Sequence, residues 1–109
     1  MAECVRPQIV IENDFGRLIA GADIELVDAL LARASLHVEA GHLPIGTRGR
    51  LVDAVLDDPE VRSRQRVQVA LPLGDTEMLD RVRERCLDVV PRAAGVSCLI
   101  DVSLARTSA

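Results

Sequence analysis

The chain has 109 residues, a net charge of −4 and one aromatic side chain, Phe15. That length supports one domain with one core, and the core must be aliphatic. Nucleic acid is excluded as a partner on two counts: an acidic surface is poorly suited to phosphates, and there is no series of rings on which bases could stack. The same charge disfavours an anionic membrane.

Every basic side chain is Arg, and Asn13 is the single Asn, a bias that fits a small protein from a GC-rich bacterial genome. Without Lys or Tyr, Schiff-base chemistry, a phosphate-loop lysine and a tyrosine base are ruled out. Cys4, Cys86 and Cys98 are odd in number and widely spaced, so they form no disulfide framework. The N-terminus has no leader pattern and no apolar run reaches about 20 residues, so a cytoplasmic protein is expected.

Residues 1–6 and 105–109 read as frayed ends of a single 1–109 domain. Residues 7–13, PQIVIEN, read as a strand; apolar residues on both its faces suggest an interior place in a sheet. RLIAG, 17–21, would extend this pairing as a short hairpin arm. Over 21–35 the spacing of Ile24, Val27, Leu31 and Ala34 predicts a helix with Asp23 as N-cap. LHVEAG, 36–41, alternates and reads as a short strand.

TRGRLVDAVLDD, 47–58, predicts a short helix capped by Thr47, with Leu51, Val52, Val55 and Leu56 turned inward. RVQVALPL, 66–73, reads as a strand. Residues 74–90 predict a helix capped by Asp75, with Met78, Val82, Cys86 and Val89 on its buried stripe and Glu77 paired with Arg81. VSCLIDVSL, 96–104, is a last strand. The expected fold is α+β: an open-faced, ferredoxin-like split βαβ sandwich with three to four strands and an extra short helix.

HLPIGTRGR, 42–50, is the stretch best suited to grip a ligand. A helix N-terminus offers free N–H groups and the positive end of a dipole, and two arginines add charge. Thr47, Arg48 and Arg50 are therefore the candidate anion site, against the plainer account of a capped helix whose arginines pair with Asp53, Asp57 or Asp58. His37, Glu39 and His42 have residue types suited to proton transfer or zinc binding, but their spacing matches no metal motif. No cofactor and no metal are expected. Cys86 and Cys98 read as packing residues, and Asp101 as a side chain on an exposed sheet face.

Three functions are weighed. The first is a non-enzymatic interaction or regulatory domain, self-associating as a homodimer through an apolar sheet face containing Val10, Val67 and Val69. The second is an anion or small-metabolite sensor using residues 46–50. The third is a small enzyme with a His/Glu proton-transfer site.

Overall fold

A computed structural model describes residues 8–39 and 43–104. The backbone forms a six-stranded mixed sheet in the order β1-β2-β3-β4-β6-β5. Its strands are β1 (Gln8–Glu12), β2 (Leu18–Leu26), β3 (Leu31–Val38), β4 (Arg66–Pro72), β5 (Cys86–Ala94) and β6 (Ser97–Leu104). The helices α1 (Thr47–Asp57) and the one-turn α2 (Pro59–Arg62) follow β3, and α3 (Thr76–Arg85) follows β4. The sheet overturns the expected ferredoxin-like arrangement of three to four strands. The expected frayed ends lie outside the described residues.

Two misreadings account for the missing strands. The segment expected to be a helix over 21–35 is an antiparallel hairpin, with Ile24 opposite Ala34 and Ala22 opposite Leu36. Its turn is made by Asp28, whose carboxylate accepts from the N–H groups of Leu30 (2.7 Å) and Leu31 (2.9 Å). Asp23, expected as an N-cap, lies inside β2. The second misreading extends α3 too far: it ends at Arg85, and Cys86 begins β5, which pairs antiparallel with β6. Asp88 takes φ 53° at the bulge between Leu87 and Val90, and Gly95 at φ 64° turns the chain into β6. The weak hairpin arm at 17–21 is the start of β2, and the 36–41 strand is partly the end of β3.

The helices cover one face of the sheet. Ala22 and Ile24, Ala32, Ala34 and Leu36, Val67, Val69 and Leu71, and Ile100 and Val102 form its buried side. Leu51, Val52, Val55 and Leu56 of α1 and Met78 and Val82 of α3 complete the core, as their spacing anticipates. Alanines on β2 and β3 leave room for α1 to lie close to the sheet. The opposite face is polar, and a row of side chains crosses four strands. Arg33 reaches Glu25 (3.4 Å) and Gln68 (2.9 Å), and Gln68 donates to Asp101 (3.3 Å).

The three valines expected to form a shared apolar surface do not lie together. Val67 and Val69 are each 1% exposed, beneath the helices, and cannot meet a second chain. Val10 is half exposed, but β1 is an edge strand, not the interior strand expected, and Ile11 is its core residue. Among the described residues, no helix is long and apolar enough to cross a membrane.

Candidate functional site: a groove where two parallel strands part

Among the described residues β3 and β4 are the one parallel pair in the sheet, matched from Leu31–Arg66 to Ser35–Ala70. Both strands run on, β3 to Val38 and β4 to Pro72, without further pairing between them. Pro72 has no N–H to donate, and β4 stays with β6 as far as Pro72 opposite Ser97. The two strands therefore separate at their carboxyl ends, where ligands bind in open α/β sheets. Each strand leads into a helix, so the N-termini of α1 and α3 meet at the gap. An open groove of about 410 Å³ lies there, with Val38 on one side, Pro72–Glu77 on the other, and Arg48 across it.

The two helix ends differ in chemistry. α3 is closed by its own side chain: Asp75 accepts from Met78 N at 3.1 Å, and Glu77 adds negative charge to the first turn. α1 has Gly46 as N-cap at φ 87°, with no side-chain cap and no acidic residue in its first turn. Thr47, expected to be the cap, is buried and turns its hydroxyl back to the Pro44 carbonyl at 2.8 Å. Thr47 N also bonds Pro44 O, and Arg50 N bonds Gly46 O. Among the described residues the Arg48 and Gly49 N–H groups have no acceptor. A Cβ at Gly49 would meet nothing within 4 Å, so open space lies beside these donors.

The two candidate arginines are divided. Arg48 turns into the groove, where its Nε bonds Asp75 Oδ2 at 2.9 Å and ties the first turn of α1 to the cap of α3. Arg50 lies on the other side of α1, at a second cavity shared with Thr47 and Phe15. Neither pairs with Asp53, Asp57 or Asp58. Asp53 instead accepts from Arg81 (2.8 and 3.1 Å) and Arg85 (3.1 Å), and Arg85 reaches Asp57 at 2.6 Å. Arg81 thus serves Asp53 and Glu84 in place of the Glu77 partner expected. The Arg81 hydrogen bond, opposed by partial burial and reinforced by Arg85, holds the Asp53 carboxyl below its usual range. This clamp sets α1 against α3.

On the polar face, beside the parting strands, His37 extends from β3 next to Gly21 of β2. A Cβ at Gly21 would lie 2.9 Å from His37 Cε1, so only glycine leaves the ring this position. His37 Nε2 is 3.9 Å from Asp23 Oδ2, and both side chains are solvent-accessible. Glu39 is drawn away to Arg17 at 3.0 Å, and His42 lies outside the described residues. Among the described residues no three His, Cys, Asp or Glu side chains converge. Burial raises the Cys86 thiol above its ordinary value, which suits packing and not nucleophilic attack.

Solved structures place this architecture. A candidate phosphinothricin N-acetyltransferase aligns with TM-score 0.65 at 15% identity, over 93% of this chain and 73% of its own. A candidate acetyltransferase from Salmonella typhimurium, solved with its cofactor acetyl-CoA, gives 0.62 at 15% identity, over 95% and 68%. The GNAT domain of an S. lividans protein gives 0.63 at 13% identity, over 91% and 61%. The fold is that of the GNAT acetyltransferases. No family model matches the sequence, and no curated protein matches it significantly. The GNAT likeness corrects the leading functional expectation, because its structural neighbours are named as enzymes and not as interaction modules. The sequence placed the helix start but read Thr47 as its cap, and it did not show the groove, which depends on β3 and β4 being parallel neighbours.

Proposed function

We propose that this chain is an acyltransferase domain that takes an acyl group from an acyl-CoA and delivers it to an amine. The observation that carries the reading is the GNAT groove itself: two parallel strands part in front of a helix whose first turn is left unsatisfied. The residues present fit such a carrier. The Arg48 and Gly49 N–H groups would hold its diphosphate at the positive end of α1. Val38 and Leu73 supply apolar contact along the groove for its pantetheine arm, and the unpaired strand ends offer it backbone hydrogen bonds. Bound there, the carrier supplies an activated thioester.

His37 is the residue of this chain best placed to take a proton from the acceptor amine. It lies at the parting strands on the face opposite the groove, so the carrier and the acceptor approach from different sides. Imidazole is the side chain suited to proton transfer near neutrality. The absence of Tyr and Lys leaves no competing base of those types.

The test is thiol release from acetyl-CoA across a panel of primary amines. Amine-dependent release is expected, reduced about a hundredfold or more in His37→Gln with CoA affinity retained. Saturable CoA binding without amine-dependent release from any panel member would favour a carrier-sensing domain. Absence of both would end the acyl-CoA reading.

A further inference from the structure

We infer that the acceptor is the amino terminus of an extended peptide with an acidic side chain at its third or fourth position, which Arg92 of β5 recognises. This inference rests on the acyl-CoA reading. The register of five strands places Asp23, Ser35, Ala70, Leu99 and Arg92 opposite one another in a single row. Ala34, Val69 and Ile100, beside them in sequence, belong to the core, so the row lies on the polar face. Ser35 and Ala70 are the last matched pair before β3 and β4 part. The row therefore passes the opening between these strands, and His37 stands two residues further along β3.

Among the described residues this face has no enclosure for a small amine. The cavity at one end of the row, between Asp23, Glu25, Arg33 and Ser35, measures about 160 Å³, below the ~300–1,000 Å³ of small-ligand sites. The His37 and Asp23 side chains are each 60% exposed. An acceptor that keeps water from the reacting atoms here has to bring its own surface, and a polypeptide does so.

Charge decides which polypeptide fits. One side of the row is bounded by Glu25, Arg33, Gln68 and Asp101, which are already hydrogen-bonded to one another. Arg66 lies beyond that network, opposite Ser103. Arg92 is exposed and has no partner among the described residues, so it is the cation of the row left for an incoming carboxylate. The opening lies between β3 and β4, and β5 is two strands past β4. At about 4.8 Å per strand the span to Arg92 is about 12 Å, or roughly three to four extended residues. A peptide whose terminal amine meets His37 thus brings its third or fourth side chain to Arg92, and Ala70 and Leu99 lie beneath the residues between. A basic side chain at that position is repelled.

Thiol release from acetyl-CoA tests this, with hexapeptides carrying Glu, Gln or Lys at both the third and fourth positions, and with n-butylamine as a small acceptor. The wild type is compared with Arg92→Gln and Arg92→Glu; the side chain is exposed on an edge strand, and unchanged melting temperatures will confirm that the fold is kept. In the wild type the KM of the Glu peptide should lie about fivefold below that of the Gln peptide, with equal kcat. Arg92→Gln should abolish this difference, and Arg92→Glu should transfer the preference to the Lys peptide. Neither variant should change turnover of n-butylamine. A wild type that uses n-butylamine as well as the Glu peptide, or a Glu preference that survives in Arg92→Glu, would overturn the acidic-peptide assignment and leave the acyl-CoA reading standing. Absence of release with every acceptor would instead remove the acyl-transfer reading itself.

Discussion

α1 and α3 begin at the two sides of one groove and solve the same problem in opposite ways. Every helix start leaves backbone donors without intrahelical partners. α3 satisfies one of these with the Asp75 carboxylate, which also takes Arg48. α1 has a glycine before it, a threonine turned backwards and a glycine at its third position, and so leaves two donors open. A glycine N-cap in place of a capping side chain sacrifices only a few tenths of a kcal/mol in the free chain. A ligand that accepts from those donors recovers it on binding. The self-sufficient end supports the fold, and the unsatisfied end is left for an anion.

Removing the cap of α3 should have the largest effect on stability. Asp75→Ala deletes both the cap and the partner of Arg48, and should cost about 2 kcal/mol in urea unfolding. A cost under about 0.5 kcal/mol would show that the two helix ends are not energetically distinct. Making α1 resemble α3 should do the reverse. Gly49→Asp enters open space and places a carboxylate on the first turn, so the free protein should be stabilised by about 0.5 kcal/mol while coenzyme A binds about tenfold more weakly. Equal losses of stability and affinity would mean that the variant merely damaged the helix.

The smallest effect concerns the clamp that holds the two helices together. The Asp53 carboxyl is held below its usual value, so its contribution is present near neutrality and is lost as pH falls through that lowered value. Asp53→Asn should cost under about 1 kcal/mol near neutral pH, since the pair is partly solvated. The gap between variant and wild type should begin to narrow below the ordinary aspartate value of 3.8 and close below the lowered one. A gap that persists in acid would assign the loss to packing and not to charge.

The helices were legible where local chemistry decides them. Leu51, Val55, Met78 and Val82 follow helical spacing, and Asp75 is a cap both in sequence and in structure. The contrast between the two starts was not legible, because Thr47 reads as a cap and is instead turned back to the Pro44 carbonyl. β2 and β3 were not legible, because Ile24, Val27, Leu31 and Ala34 fit a helical stripe as well as Ile24, Ala32 and Ala34 fit a strand face. Asp28 decided between them by closing a turn, and pairing with β1 and β4 fixed the result. β5 was concealed in the same way, since Cys86 and Val89 continue the spacing of the α3 stripe although the chain leaves the helix at Arg85. The groove and the site of His37 depend on which strands are neighbours, and that information is not local.

The most direct test is an amide NMR titration with coenzyme A, following the backbone N–H signals of both helix starts. The account predicts that Arg48 and Gly49 shift in a saturable manner while Met78, already bonded to Asp75, shifts far less. Shifts centred on Met78, or none at either start, would contradict the assignment of α1 as the anion-binding end.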